Sequence, residues 1–134
     1  MSDYSKARSY YEKSRPIFTE ALSPNHPELA AFYTSVGSLY VTIGNFSEAL
    51  SFHEQSLEIR KIALPSNHPE LAASHNNIGL VCMKNGDYSK ALSSYEQSLE
   101  ILERTLPPKH PNLAISYNNI GELCNKLGKY SKAL

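Results

Sequence analysis

Histidines are the first candidates for catalysis or metal binding in this chain. Three of them recur every 42 residues, each followed by proline: His26, His68 and His110. Metal ligands must converge to within about 2 Å of one ion, so this long fixed spacing is better explained by turn residues that were duplicated with the chain. His53-Glu54 starts like a zinc-protease motif, but Leu57 stands where the second histidine is needed. We therefore expect no metal site and no cofactor.

The sequence also lacks the patterns of common enzymes, with neither a glycine-rich phosphate loop nor a Gly-x-Ser-x-Gly elbow. Asp3 and Asp87, the two aspartates, stand where helix caps are expected. Cys82 and Cys124 lie one period apart on a face that we expect to be packed, so both are predicted to be reduced and buried. We interpret the chain as non-enzymatic, and as cytoplasmic because that compartment keeps thiols reduced.

The charge balance argues against two classes of partner. Lysine plus arginine and aspartate plus glutamate number 13 each, so the basic excess typical of binding to nucleic acid or an anionic membrane is missing. The polar start predicts no signal peptide, and the chain holds no run of about 18 apolar residues that could span a bilayer. Asn45-Phe46-Ser47 is a sequon, which makes Asn45 a candidate glycosylation site.

The elements that must position any functional side chain come from an internal repeat. Residues 26–67 and 68–109 are identical at twenty of 42 positions. A fixed period of this length is typical of stacked helical repeats. The predicted organisation begins with the second helix of a partial repeat, over 1–25. Two full repeats follow, over 26–67 and 68–109. A truncated repeat with a first helix and the start of a second covers 110–134.

Each period predicts two helices, A and B. Proline opens helix A, where a missing N–H costs nothing. Gly44 and Gly86 end it, and Asn45 and Asp87 cap the helix B that follows. The result is six helices, with a last helix A over 111–127 and the first turn of another helix from residue 130.

The opening helix is expected to be irregular because it contains proline. Pro16 removes a backbone hydrogen bond from the helix interior. Two outcomes are open: a kink at Pro16, or a fresh helix capped by Ser14.

One face of helix A carries aromatic, aliphatic and glycine residues at helical spacing and is predicted to be buried. The three copies of this face are Tyr33, Val36, Gly37 and Tyr40; His75, Ile78, Gly79 and Cys82; and Tyr117, Ile120, Gly121 and Cys124. The glycine lets helix B approach closely. We expect a small residue opposite it: Ala49, Ala91 or Ala133.

This spacing resembles the signature of the tetratricopeptide repeat. Tyr33, Val36, Gly37 and Tyr40 fit its first half, and Ala91 with Tyr95, and Ala7 with Tyr11, fit its second half. The 42-residue length, the His-Pro opening and the Asn-Asn-Ile-Gly runs at 76–79 and 118–121 are similar to the kinesin-light-chain type. The resemblance implies an all-α fold, a right-handed α-solenoid of antiparallel helix pairs with about three repeats. It also implies a function in protein–protein interaction.

The opposite face of helix A is the candidate binding surface. In proteins of the fold that the chain resembles, this face is concave and holds an extended peptide. Family members that grip a peptide backbone or C-terminal carboxylate use an asparagine at the positions of Asn77 and Asn119. The predicted peptide-binding residues are Ser35, Ser38, Asn76, Asn77, Leu80, Met83, Lys84, Asn118, Asn119, Glu122 and Lys126. These asparagines are alternatively plain solvated positions, although asparagine is a poor helix former.

Two functions are therefore open. The first is a module that binds an extended segment of another protein. The second is a structural solenoid that stacks head to tail into a filament, through a contact that includes Tyr11 and Ile17, since contacts that do not close produce open assemblies. The chain would alternatively be a fragment of a longer array.

Overall fold

The computed structural model describes residues 3–133, with side chains described for residues 3–128. Within that range the chain forms six α-helices and no strand, which confirms the all-α repeat fold. The helices are α1 (Asp3–Ala21), α2 (Pro27–Ile43), α3 (Phe46–Ala63), α4 (Pro69–Lys84), α5 (Tyr88–Thr105) and α6 (Pro111–Ala133). One compact unit contains α1, α2 and α3, and a second contains α4, α5 and α6.

The recurring histidines cap the helices that they precede. In each case the imidazole Nδ1 accepts the backbone N–H two residues further on, at 3.1 Å: His26 from Glu28, His68 from Glu70, and His110 from Asn112. The first N–H groups of a helix have no partner within it, and a side-chain acceptor satisfies one of them. The sequence predicts turn residues here, and the structure shows what the imidazoles contribute.

The turns inside the two full repeats follow the predicted chemistry. Gly44 and Gly86 have φ angles of 94° and 84°, a left-handed conformation that residues with a Cβ rarely adopt. Asn45 and Asp87 then cap the next helix. The Oδ1 atom of each accepts the backbone N–H three residues later, in Glu48 and Lys90, with an N–O distance of 3.4 Å. The predicted breaks at these glycines are confirmed.

The last helix differs from this scheme. The sequence predicts an end at Leu127 and a new helix from residue 130, but α6 continues unbroken to Ala133. Gly128 has no positive φ, unlike Gly44 and Gly86. Lys129 occupies the place of Asn45 and Asp87, and its side chain offers no oxygen to cap a second helix. Without a cap, continuing the first helix is the better solution.

Helix α1 is continuous through Pro16. Of the two outcomes left open by the sequence, the fresh helix capped by Ser14 is therefore wrong. The Ser14 hydroxyl donates back to the Tyr11 carbonyl at 3.1 Å, which is a bond within one helix and not a cap. Further along, the Thr19 hydroxyl bonds the carbonyls of Arg15 and Pro16 in the same way.

The two helices of each full repeat meet at a contact between a glycine and a ring, which we name the glycine–ring contact. A Cβ placed on Gly37 would lie 2.8 Å from His53 Nε2, and one on Gly79 would lie 2.8 Å from Tyr95 Cδ1. The residue opposite the glycine is thus His53 or Tyr95. The predicted alanines Ala49 and Ala91 are fully buried but are not the atoms nearest the glycine, because a flat ring fills the space that the missing Cβ leaves. The side chain of Ala133 lies outside the described residues.

A second contact recurs in both full repeats, and we name it the serine–carbonyl bond. The Ser56 hydroxyl donates to the Ala30 carbonyl at 2.9 Å, and the Ser98 hydroxyl donates to the Ala72 carbonyl at 2.8 Å. Both serines are buried, at 1% and 2% exposure. Buried hydroxyls need such partners, and this bond joins helix B to the first turn of helix A.

The third copy of the predicted buried face is not buried. Tyr117, Gly121 and Cys124 are exposed, whereas their counterparts in α2 and α4 are covered. Helix α6 packs on α5, and its buried side chains are Leu113, Ser116 and Leu123. The prediction that both cysteines are buried is therefore wrong for Cys124 and right for Cys82. The reason is that no helix of residues 3–133 packs over this side of α6 in the way that α5 packs over α4.

Helix α1 is attached to its unit through aromatic and cationic groups. Phe18 and Tyr11 contact the ring of Phe32, with ring centroids 5.1 and 5.9 Å apart. The Arg15 guanidinium lies 5.4 Å from the centroid of the Phe52 ring, a cation–π distance. No residue of α1 is buried, so one side of this helix contacts α2 while the rest remains open.

Candidate functional site

The second unit contains a groove between α4 and α6, with α5 as its floor. Its volume is about 290 Å³. The lining is contributed by all three helices: Pro69, Ala72, Ala73 and Asn76 from α4, Ser98 and Leu102 from α5, and Asn112, Ile115, Ser116 and Asn119 from α6. Three side-chain amides thus border one groove, and none of its lining residues is ionisable.

Local structure determines which of these polar groups can serve a ligand. The Ser98 hydroxyl already donates its proton to the Ala72 carbonyl in the serine–carbonyl bond. The backbone N–H of Asn112 is held by His110. Asn76 and Asn119 are half-buried on facing helices. Each primary amide provides two donors and one carbonyl acceptor, so the groove presents paired donors and acceptors.

The structure brings together only part of the predicted set. Asn76 and Asn119 line the groove, whereas Asn77, the position expected to bind, does not. The other predicted residues of this unit also lie outside the lining: Leu80, Met83, Lys84, Asn118, Glu122 and Lys126. Met83 Sδ is 3.9 Å from the Tyr95 hydroxyl, and Lys126 Nζ is 5.9 Å from the centroid of the Tyr88 ring. These two side chains therefore have contacts of their own within the fold.

The predicted residues of the first unit occupy a different setting. Ser35 and Ser38 are exposed on α2. Ser35 donates its hydroxyl to the Ala31 carbonyl at 3.1 Å and lines a cleft of about 340 Å³ between α1 and α2. This cleft has no asparagine among its lining residues.

A larger groove, of about 730 Å³, lies in the first unit between the end of α1 and α3. Its apolar lining includes Leu29, Tyr33 and Ile59, and α3 adds Glu54 and Glu58. Glu58 forms a salt bridge to Lys61, at 3.7 Å. Sequence reasoning did not single out this surface, because most of its residues, such as Glu54, Glu58 and Ile59, have identical counterparts in the second full repeat.

Asn112 is a groove residue that sequence reasoning missed. The other two copies of helix A begin His-Pro-Glu-Leu, and the third begins His-Pro-Asn-Leu. Asn112 stands three residues before Ile115 and seven before Asn119, a spacing that places all three on one side of a helix. This exchange of glutamate for asparagine was the available signal.

The groups with shifted pKa values lie in helix–helix contacts and not in the groove. Burial lowers the pKa of His53 below its ordinary 6.5, and the charge of Arg60 lowers it further. Burial raises the pKa of Tyr95, with a smaller effect from Cys82. The hydrogen bond from Tyr117 to Glu103, 2.8 Å long, raises the pKa of that tyrosine. These shifts reflect packing and not an acid–base site.

Among the residues whose side chains are described, no three histidine, cysteine, aspartate or glutamate groups are placed to share a metal ion. Across the part of the chain that the structure describes, no helix combines the length and the apolar character needed to cross a membrane.

The Asn45 side chain acts as the cap of α3 through its carbonyl oxygen. The residue is exposed. Its glycosylation stays a prediction.

Several solved structures have the same fold. A candidate kinesin light chain from Podosopora anserina with nearly identical TPR-like repeats superposes with a TM-score of 0.84 at 25% identity, over 97% of this chain. BtubC (BKLC) from P. vanneervenii gives a TM-score of 0.85 at 20% identity, over 97% of this chain and 52% of that one. The N-terminal domain of stress-induced protein-1 from C. elegans gives 0.63 at 22% identity, over 90% of this chain and 81% of that domain. The last two show the fold alone.

This chain spans 62% of the length of the Podosopora anserina structure. No curated protein matches it. The model of the tetratricopeptide repeat family matches residues 1–62 and 70–134, which is nearly the whole chain. Together with the 42-residue period and the kinesin-light-chain-like structural relatives, this match establishes that the chain belongs to the tetratricopeptide repeat family, with repeats of the kinesin-light-chain-like type.

Proposed function

We propose that this chain is a protein–protein interaction module that binds an extended segment of a partner protein in the groove between α4 and α6. Tetratricopeptide repeat proteins are in general non-catalytic scaffolds, and we propose the same for this chain. The observation that carries the proposal is the set of three amides around one uncharged groove, contributed by Asn76, Asn112 and Asn119.

The groove has the chemistry that an extended backbone needs. Such a segment carries unpaired N–H and C=O groups, and a side-chain amide can accept from one and donate to the other. Ala72 and Ala73 have small side chains that let a ligand backbone approach α4, while Leu102 and Ile115 provide apolar contacts. Each net hydrogen bond contributes about 1 kcal/mol, so several together are needed for useful affinity.

The absence of charge in the lining favours a ligand whose groove-bound part is neutral. Lys84 and Lys126 lie about two helical turns beyond Asn76 and Asn119 on the same helices. They favour an acidic residue beyond the end of the groove, although exposed ion pairs contribute only about 0–1 kcal/mol. We expect an affinity in the micromolar range, about −8 kcal/mol, with weak dependence on salt.

The test is a peptide-library selection followed by calorimetry with two matched double variants. Asn76→Ala with Asn119→Ala removes two groove amides, and Asn77→Ala with Asn118→Ala makes the same change at neighbouring positions of the same helices outside the lining. We expect the first to weaken binding of a selected peptide about tenfold or more, because two hydrogen bonds of about 1 kcal/mol are lost. The second should leave binding within about twofold, since it removes no groove contact.

Circular dichroism of both double variants is the control for folding, because asparagine to alanine raises helix propensity in each case. Equal affinity of the Asn76/Asn119 variant and the parent for every selected peptide would refute binding through these amides. The cytoplasmic location stays a prediction that this experiment does not address.

A further inference from the structure

The most buried polar side chain that lines the groove between α4 and α6 is Ser98, which is 2% exposed. Its proton is donated to the Ala72 carbonyl at 2.8 Å. A hydroxyl oxygen also has two lone pairs that accept hydrogen bonds. Among the side chains that the structure describes, none donates to the Ser98 oxygen. The α5 floor of the groove therefore presents an acceptor that an N–H or O–H group of a ligand can fill.

In the first full repeat the same acceptor has a partner from inside the fold. Ser56 donates to Ala30 in the equivalent serine–carbonyl bond, and Thr34 Oγ1 lies 2.7 Å from Ser56 Oγ. Asn76 stands at the position of Thr34 in the second full repeat. Within the described part of the chain, no hydrogen bond joins the Asn76 amide to Ser98. The exchange of threonine for asparagine thus leaves both the amide and the serine oxygen available to a ligand.

The polarity of the lining excludes most side chains as the group that reaches this floor. A charged side chain would leave water without a partner of opposite charge, because no lining residue is ionisable. A carboxylate would also bring no donor for the Ser98 oxygen. An apolar side chain would cover Ser98 and the amides of Asn76 and Asn119 without pairing them, which is unfavourable. The group that fits is neutral and carries both donors and acceptors.

A primary amide meets these requirements better than a hydroxyl does. It has two N–H donors and one carbonyl acceptor. One donor can reach the Ser98 oxygen while the other donor and the carbonyl pair with Asn76 and Asn119 on the two walls. A hydroxyl has a single proton and cannot donate to the floor and to a wall together. The methylene groups of a glutamine would in addition contact Leu102 and Ile115, the apolar part of the lining.

We propose that the partner segment places the side chain of a glutamine or asparagine over Ser98, with its amide between Asn76 and Asn119. This inference rests on the function proposed above, that the groove binds an extended segment, and it adds the residue type that the groove selects. Hydrogen bonds to the ligand backbone supply affinity for any sequence, whereas this side-chain amide determines which sequences bind.

The first test is a selection from random short peptides, acetylated and amidated so that neither end is charged. Peptides that the parent retains and the Asn76→Ala/Asn119→Ala variant does not retain are groove ligands. We expect these to share a glutamine or asparagine at one position. Replacing that residue by glutamate, methionine or lysine should weaken binding about tenfold or more in calorimetry, since hydrogen bonds to the groove are lost. The same replacements at other positions of the peptide should change binding less than about threefold.

The second test changes the groove and not the peptide. Asn119→Asp replaces one amide by a carboxylate of the same shape, which supplies a partner for a cation. We expect this variant to bind the lysine-substituted peptide more tightly than the parent peptide, which reverses the order seen with the unchanged protein. Asn118→Asp makes the same change in charge at a neighbouring position outside the lining and should keep the original order. Circular dichroism of both variants checks that the helices are intact.

The outcomes separate this inference from the proposed function. Peptides that require Asn76 and Asn119 but bind equally well after their amide is replaced would overturn the inference and leave groove binding intact. An Asn119→Asp variant that still favours the parent peptide over the lysine peptide would also overturn it. A protein that retains no peptide through Asn76 and Asn119 would overturn the proposed function, and the inference with it.

Discussion

His53 Nε2 lies 2.8 Å from the point where a Cβ on Gly37 would stand. This distance is shorter than real Cβ contacts allow, so the imidazole can occupy its place only because residue 37 has no side chain. Tyr95 and Gly79 repeat the relationship one period later. The close approach of helix A and helix B therefore depends on one glycine in each full repeat.

Alanine at these glycines should destabilise the protein. Gly37→Ala or Gly79→Ala forces a buried ring to move, and overpacking of this kind costs about 1–3 kcal/mol, which exceeds the gain in helix propensity of about 1 kcal/mol. Gly121→Ala is the matched control because its Cβ meets nothing. Urea denaturation should show lower free energies of unfolding for the first two variants and an unchanged or higher value for the third. An equal gain in all three would contradict the glycine–ring contact.

Stability should fall as the pH drops below about 6.5, in part because of His53. Its pKa is lowered in the folded state by burial and by Arg60, so the unfolded chain takes up a proton first. The contribution of His53 to the free energy of unfolding is fully present above the ordinary pKa of 6.5. Below that pH the free energy of unfolding declines, by at most about 1.4 kcal/mol per pH unit for one group.

The variant His53→Tyr isolates this effect, because the corresponding position of α5 is occupied by a tyrosine, Tyr95. The difference in free energy of unfolding between His53→Tyr and the parent should be larger at pH 5 than at pH 7.5. If that difference is the same at both values, His53 does not contribute to the acid sensitivity.

The two cysteines should react at very different rates. Cys124 is exposed on α6, and Cys82 is 2% exposed between α4 and α5. A bulky thiol reagent applied to the native protein at low concentration should modify Cys124 quickly and Cys82 only on unfolding, as read by mass spectrometry of Cys82→Ser and Cys124→Ser variants. Similar rates for both thiols would show that the α6 face or the α4–α5 contact is not as described.

The histidine caps should be replaceable by residues that also accept a hydrogen bond. His68→Ala removes the acceptor for the Glu70 N–H and should cost about 1 kcal/mol of folding free energy, as loss of other helix caps does. His68→Asp restores a side-chain oxygen and should recover most of that loss. Thermal unfolding of the two variants provides the comparison, and an aspartate variant as unstable as the alanine variant would argue against capping.

The helix boundaries of the full repeats could be predicted because they depend on local chemistry. Proline at a helix start, glycine with a positive φ at its end, and an asparagine or aspartate cap are effective within a few residues. The same reasoning failed after Gly128, where the glycine was present but Lys129 could not cap. A helix break at this point requires both a glycine and a capping residue after it, and only the glycine is present.

Burial and the groove could be predicted only in part. Cys82 and Cys124 share a position in the repeat, so the sequence assigns them the same environment, but burial depends on whether another helix packs over the residue. Asn76 and Asn77 are adjacent and point about 100° apart on a helix. The resemblance to the tetratricopeptide repeat family favoured Asn77 as the binding asparagine. Only the packed positions of α4 and α6 show that Asn76 lies in the groove with Asn119.

The serine–carbonyl bond spans 26 residues in both full repeats, which is shorter than the 42-residue period. The histidine cap and the glycine turn are also complete within one period. Each full copy therefore contains both the donor and the acceptor of its own internal contacts. A gene duplication or deletion of one whole copy therefore changes the copy number without separating a donor from its acceptor.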